Sequence, residues 1–93
     1  MLMYKRDMVV NFKENYTTNV KSLSINSYWT INEFIKIMTP LLREEFNTSR
    51  IDIIECGLKD AENAHNLHPS DSCMRDIWNE NELKLLSFYV RKY

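Results

Sequence analysis

Two cysteines and two histidines are the residues of this sequence whose types could bind a metal or form a nucleophile–base pair. They lie within eighteen positions and are Cys56, His65, His68 and Cys73. Zinc accepts two thiolates and two imidazoles in a tetrahedral site, but structural zinc sites usually hold their cysteines at close spacing. We therefore predict no metal site and keep these four residues as its weak candidates. The simpler interpretation is a buried thiol after a strand, two loop histidines and a thiol in a helical turn.

Catalysis has little support in the sequence. A Cys–His pair would need an oxyanion hole or a glycine-lined cleft, and the chain contains a single glycine, Gly57. The acidic residues do not form a pair that can be placed in a shared cleft for acid–base work. These are Glu44, Glu45, Asp60, Glu62, Glu80 and Glu82. We expect a protein that is not an enzyme, with no cofactor and no small-molecule substrate.

Length and charge narrow the class further. The 93 residues support one domain, 1–93, and 44% hydrophobic with 27% charged residues is typical of a globular chain. Twelve basic against thirteen acidic residues lack the excess of positive charge that is typical of a general nucleic-acid binder, so we do not expect nucleic acid as a partner. No apolar run is long enough to cross a bilayer, and the start of the chain has no signal-peptide pattern. We expect an intracellular, cytoplasmic protein with reduced thiols and no membrane partner, or a virion component if the source is viral.

The first 25 residues predict an antiparallel hairpin. Apolar residues alternate with polar ones from Asp7 to Glu14 and again from Val20 to Ile25, which is typical of strands with one buried face. The connecting residues 15–19 contain no glycine. We expect their asparagines to supply the turn, since asparagine tolerates positive φ.

A helix follows the second strand. Thr30 and Glu33 have the spacing of a capping box, and apolar residues then recur at three- and four-residue steps. This stripe consists of Ile31, Phe34, Ile35, Met38, Leu42 and Phe46. Pro40 leaves two alternatives, a kinked helix that continues to about Phe46 or a stop with Thr39 as a new N-cap. The apolar stripe keeps its phase across Pro40, which favours continuation.

The rest of the chain predicts two more strands. Isoleucines around Asp52 indicate a short third strand that ends at Gly57, and residues 58–72 indicate an irregular excursion. Residues 70–72 could cap a helical turn that runs through Cys73, Met74 and Ile77. The segment from Glu82 to the end predicts a final strand, with a bulge at Leu85–Leu86 where its apolar face changes parity.

This order of elements resembles the β-grasp of ubiquitin and its relatives. The resemblance is most specific where residues 23–25 meet the cap Thr30 and the anchors Ile31, Phe34 and Met38, and it extends through 50–53 and 72–85. It covers residues 7–91 and implies an α+β fold, a mixed sheet of about four strands packed on one main helix.

Two departures from ubiquitin bear on function. The sequence ends in residues 90–93 without the two glycines of the modifier tail, so conjugation is not expected. The resemblance places the apolar recognition patch of ubiquitin near Asp52, Lys84 and Leu86, and Asp52 puts a carboxylate at its centre. We do not expect the standard receptors of ubiquitin to bind an unpaired charge there.

Aromatic residues provide the candidates for partner binding. Trp29 has the spacing of a hydrophobic staple on Phe34, which leaves Tyr28 as the freer ring. Trp78 is either a core residue or an exposed anchor. The basic, aromatic end 89–93 could stack on nucleic acid, although a solvated strand end explains it more simply.

The final segment has more apolar residues than one buried strand face can use, so we expect some to face outward. The predicted partner-binding residues are Leu86, Phe88, Tyr89, Trp78 and Tyr28. The function predicted is a non-catalytic ubiquitin-like interaction module or structural subunit of a larger assembly. Two alternatives remain. One is a small regulatory adaptor that mimics ubiquitin, for example a viral one, and the other is a Cys/His metal-binding protein.

Overall fold

A computed structural model describes residues 7–58, 65–68 and 70–92 of the chain. The described elements are five strands and three helices in an α+β arrangement. In chain order they are β1 (Asp7–Glu14), β2 (Val20–Asn26), α1 (Ile31–Glu45), β3 (Ile51–Leu58), β4 (His65–Asn66), α2 (Met74–Ile77), α3 (Glu80–Leu85) and β5 (Leu86–Lys92).

The strands form one mixed sheet in the order β2-β1-β5-β3-β4. The central strands β1 and β5 are parallel, while the β1–β2, β3–β5 and β3–β4 pairs are antiparallel. Four strands are long, β4 has only two residues, and α1 packs on one face of the sheet. The predicted α+β class, with a mixed sheet of about four strands on one main helix, is confirmed at this level.

The hairpin forms as the alternation predicts. Met8, Val10 and Phe12 are buried towards α1, whereas Val9 and Asn11 are exposed on the other face. The residue that takes up positive φ in the turn is Tyr16, at 62°, so the expectation that an asparagine would do this is wrong. The turn is closed instead by the Thr17 hydroxyl, which donates to the Glu14 carbonyl at 2.9 Å and accepts from the Asn19 N–H at 3.1 Å.

Helix α1 begins at the predicted capping box. The Glu33 N–H donates to Thr30 Oγ1 at 3.1 Å, and the Thr30 N–H donates to Glu33 Oε1 at 3.0 Å. Pro40 lies inside the helix, which confirms continuation over the stop. The Thr39 hydroxyl donates to the Ile35 carbonyl one turn earlier, at 2.6 Å, and so occupies a helix-interior position rather than an N-cap.

The C-terminus of α1 closes with a Schellman motif. Asn47 has a φ of 50° and donates its N–H to the Glu44 carbonyl, while the Thr48 N–H donates to the Arg43 carbonyl. Asparagine suits this left-handed position because its side chain tolerates positive φ. The chain is thereby turned from the helix towards β3.

The core lies between α1 and the sheet. The helix contributes Ile31, Phe34, Met38, Leu42 and Phe46, all buried. Three phenylalanine rings from three elements meet at its centre, with centroid distances of 6.0 Å for Phe12–Phe34, 5.5 Å for Phe12–Phe88 and 4.7 Å for Phe34–Phe88. These offset contacts tie β1, α1 and β5 together.

The predicted final strand from Glu82 is wrong at its start. Residues Glu80–Leu85 form α3, and β5 begins only at Leu86. Asn79 caps this helix, because its side-chain oxygen accepts from the Glu82 N–H at 2.9 Å. Leu83 and Leu86 are buried whereas Leu85 is 54% exposed. The change of parity therefore comes from a helix-to-strand switch, and the sheet irregularity lies in β3, between Ile53 and Glu55.

The excursion 58–72 also differs from the prediction where it is described. Residues 59–64 and 69 lie outside the described part, but Leu58 ends β3 and His65–Asn66 form β4 against it. The N-cap of α2 is Cys73, which makes no side-chain capping bond. The serines before it act elsewhere: Ser70 Oγ accepts from the Ser72 N–H at 3.0 Å, and the carbonyls of Ser72 and Ser70 accept from the first two N–H groups of α1.

Candidate interaction surface

The four residues of metal-binding type are not brought into one described site. His68 is exposed, and Cys73 is a free, half-buried cysteine whose thiol donates to the Ser27 carbonyl at 3.6 Å. Cys56 and His65 are backbone partners across β3 and β4, but their side chains lie outside the described part of the structure. Among the described residues there is no group of three or more metal-ligating side chains. The absence of a metal site stays a prediction.

The expectation that part of the final segment faces outward is wrong for three of its residues. Leu86 and Phe88 are 2% and 0% exposed and belong to the core, and Tyr89 is 3% exposed. Tyr89 does lie on the opposite face from Phe88, as alternation requires, yet it is buried there. The surplus apolar residue is instead Leu85, which the end of α3 places in solvent.

The remaining aromatic candidates, Tyr28 and Trp78, do reach the surface. Tyr28 is 43% exposed and lies in the turn between β2 and α1. Trp78 is half-buried, and its ring meets the Phe88 ring edge-on with centroids 6.3 Å apart. It is therefore attached to the core and partly accessible. Trp29 is partly buried against the core, which supports its structural interpretation and leaves Tyr28 as the more exposed ring.

Local chemistry bends the chain so that Tyr28 projects. The Asn26 side chain accepts from the Tyr28 N–H at 2.9 Å, and the Asn26 carbonyl accepts from the Trp29 N–H at 3.1 Å. This Asx-type turn ends β2 and leads directly into the cap of α1. Tyr28 thus occupies a turn that is closed by two hydrogen bonds to Asn26.

The turn is fastened to a segment that is distant in the sequence. The Met74 N–H donates to the Trp29 carbonyl at 2.9 Å, and the Arg75 N–H donates to the Ser27 carbonyl at 3.2 Å. A β-bridge also joins Thr30 to Cys73. Together with the bonds from α1 to Ser70 and Ser72, these contacts dock the start of α2 onto the start of α1.

Arg75 links this junction to the exposed ring. Its Nε donates to Ser27 Oγ at 2.7 Å, and its guanidinium lies over the Tyr28 ring, 4.9 Å from the centroid. Ser27 is fully buried, so the hydrogen bond satisfies a hydroxyl that water cannot reach. The cation stacked on the ring restrains Tyr28 while leaving much of it accessible.

We define the Tyr28 surface as Tyr28, Arg75, Ile77 and Trp78. Ile77 is 44% exposed beside the half-buried Trp78. The sequence indicates the two aromatic residues but not Arg75 and Ser27, which support Tyr28. No local signal could have found them, because Ser27 and Arg75 meet only through the packing of the 27–30 turn on α2. The surface combines an aromatic ring, a guanidinium and an aliphatic side chain, which suits recognition of another protein.

No helix in the described ranges combines the length and apolar character that crossing a bilayer would require. A scan against protein-family models gives no match, and comparison with curated proteins and with solved structures gives no significant similarity.

Proposed function

We propose that this chain is a β-grasp domain of the ubiquitin-like type that acts as a non-catalytic protein-interaction module within a larger assembly. The β-grasp assignment is supported by a hairpin followed by one main helix, with a last strand that lies parallel to the first at the centre of a mixed sheet. This arrangement is compatible with the fold that the sequence resemblance implies. The interaction role depends on the surface and not on the fold, since one fold serves many functions.

The observation that carries the proposal is the exposed ring of Tyr28, held under the guanidinium of Arg75. Tyrosine and arginine are enriched among the residues that dominate binding energy at protein interfaces. A side chain that is already restrained loses less conformational entropy when a partner covers it. Tyr28 therefore has the properties of an anchor that is arranged before binding.

The residues that follow Arg75 add apolar area to the surface. Ile77 is exposed and Trp78 half-buried, while Asp71 and Asp76 are exposed acidic residues of the same chain segment. An apolar centre with a polar rim is the usual anatomy of an interface between proteins. We infer that a partner covers Tyr28 and Ile77 together.

Affinity capture from source cells followed by quantitative mass spectrometry tests this function. The wild-type domain should retain a partner in fixed stoichiometry, and Tyr28→Ala and Ile77→Ser should each lose it. Tyr16→Ala is the matched control, because Tyr16 is 97% exposed in a turn outside the Tyr28 surface. Circular dichroism melts should show that all three variants remain folded.

The result that would overturn the proposal is a partner set that is identical for wild type, Tyr28→Ala and Ile77→Ser. Capture of ubiquitin-pathway proteins in place of one stoichiometric partner would instead favour the adaptor that mimics ubiquitin. Turnover of a substrate by the purified chain would contradict the non-catalytic role.

A further inference from the structure

Helix α1 has a second apolar surface that the core does not use. Ile37 and Leu41 lie one turn apart and are 38% and 45% exposed, whereas Phe34, Met38 and Leu42 are fully buried. The two exposed residues border the buried face, since at 3.6 residues per turn they lie roughly 60° and 20° around the helix axis from Phe34. Residues four apart lie on the same face of a helix. The pair therefore forms a small exposed apolar strip.

Carboxylates extend this strip at both ends. Glu33 lies one turn before Ile37, and Glu44 and Glu45 lie three and four residues after Leu41; all three are exposed. The basic residues of the helix, Lys36 and Arg43, are also exposed; at 3.6 residues per turn they lie roughly 100–160° around the axis from Ile37 and Leu41, and roughly 60–100° from Glu33 and Glu44. We call Glu33, Ile37, Leu41, Glu44 and Glu45 the acidic strip.

Pro40 adds a further acceptor on the solvent side of the helix. Proline has no N–H, so the Lys36 carbonyl lacks the donor that residue i+4 normally supplies. Both Lys36 and Pro40 are exposed. Lys36 directly precedes Ile37, so this carbonyl lies within one helical turn of the strip. A partner that carries hydrogen-bond donors could donate to it.

We infer that the acidic strip binds a cationic amphipathic helix of a protein partner. Two apolar residues one turn apart fit the spacing by which a helix presents its apolar face, and a rim of carboxylates is complementary to lysine or arginine. The same charges disfavour the other occupants. Anionic lipid and nucleic acid carry negative charge, and a second copy would place one acidic strip against another.

The acidic strip is separate from the Tyr28 surface, and the two proposals can fail independently. The probe is a synthetic peptide of about 18 residues with leucines at helical spacing and lysines elsewhere, labelled for fluorescence anisotropy. Ile37→Ser/Leu41→Ser should weaken its binding about tenfold. Glu44→Gln/Glu45→Gln should weaken it about two- to fivefold, and added salt should remove this difference. Glu33 is left unchanged because its carboxylate is part of the capping box.

Matched controls come from the basic residues of α1 and from the Tyr28 surface. The Tyr28→Ala variant should bind the peptide as the wild type does. The Lys36→Gln/Arg43→Gln variant should bind it equally well or slightly better. A peptide with the same composition in scrambled order should bind more weakly, and a version with glutamate for lysine should not bind. In amide NMR spectra, the shifts caused by the peptide should fall on residues 33–45.

Several results would overturn the inference. These are equal binding by wild type and Ile37→Ser/Leu41→Ser, shifts that map outside α1, or equal binding of the glutamate peptide. Sedimentation that shows a dimer abolished by Ile37→Ser/Leu41→Ser would assign the strip to a second copy. Binding of anionic vesicles or of DNA through the strip would assign it to a membrane or to nucleic acid.

Discussion

At the scale of single residues, Phe34 anchors α1 on the sheet. It is fully buried, and its ring meets both Phe12 and Phe88. We expect Phe34→Ala to lower the free energy of unfolding by about 3–5 kcal/mol, because truncation removes apolar burial and leaves a cavity. That loss is a large fraction of the stability of a small domain. Urea denaturation followed by circular dichroism measures it.

Tyr16→Ala is the control for Phe34→Ala. The Tyr16 ring is 97% exposed, so its removal should change the free energy of unfolding only slightly. Equal stability of wild type and Phe34→Ala would show that α1 presents another face to the sheet.

At the scale of elements, neighbouring leucines test the junction between α3 and β5. Leu85 ends the helix and is 54% exposed, while Leu86 begins the strand and is 2% exposed. We expect Leu86→Ala to cost about 2–5 kcal/mol and Leu85→Ala less than about 0.5 kcal/mol. The pair is its own matched control, since both changes remove the same atoms. Similar melting temperatures for the two variants would contradict a helix-to-strand switch at this point.

The capping box of α1 gives a second prediction at the element scale. Thr30→Ala removes the acceptor of the Glu33 N–H and should cost about 1 kcal/mol, measured by denaturation. Thr18→Ala, an exposed threonine in the β1–β2 turn, is the matched change and should be nearly neutral. If Thr30→Ala is equally neutral, the helix begins elsewhere.

The elements also show which parts of the structure could be predicted from the sequence. The hairpin, the start of α1 and its continuation through Pro40 follow from periodicity and from caps within a few residues, and the predictions there are confirmed. The prediction of a strand from Glu82 is wrong over residues 82–85, because Glu-Leu-Lys-Leu alternates as a strand does while Asn79 and Glu82 form a capping box. In a six-residue segment, the cap is more informative than the alternation.

At the scale of the whole molecule, contacts between distant residues limited the prediction of the site. The Tyr28 surface depends on Arg75 and Ser27, which are 48 residues apart and are joined by one hydrogen bond. The prediction that Leu86 and Phe88 face outward is wrong for a related reason. Whether an apolar strand residue is buried depends on which strands flank it, and β5 lies between β1 and β3, with α1 packed on the same sheet.

The sheet order also predicts how stability is distributed. Among the described strands, β5 is paired on both sides, whereas β2 is paired with β1 on one side only. The Glu14 N–H donates to the Asn19 carbonyl, which makes these two residues a hydrogen-bonded pair of the hairpin. In an antiparallel pair of strands, hydrogen-bonded and non-hydrogen-bonded pairs alternate, so every second pair of the register from Glu14–Asn19 onwards is hydrogen-bonded. Lys21, Leu23 and Ile25 therefore direct their backbone groups to β1. Val20, Ser22 and Ser24 direct theirs to the open edge.

We expect amide hydrogen exchange, measured by NMR, to follow this pattern. In β2 the amides of Ser22 and Ser24 should exchange quickly, and those of Lys21 and Leu23 slowly, because only the latter are bonded within the sheet. In β5 consecutive amides such as those of Phe88 and Tyr89 should both be protected, since alternate residues bond to β1 and to β3. Uniform protection along β2 in a monomer would contradict the open edge. Fast exchange throughout β5 would contradict its central place in the sheet.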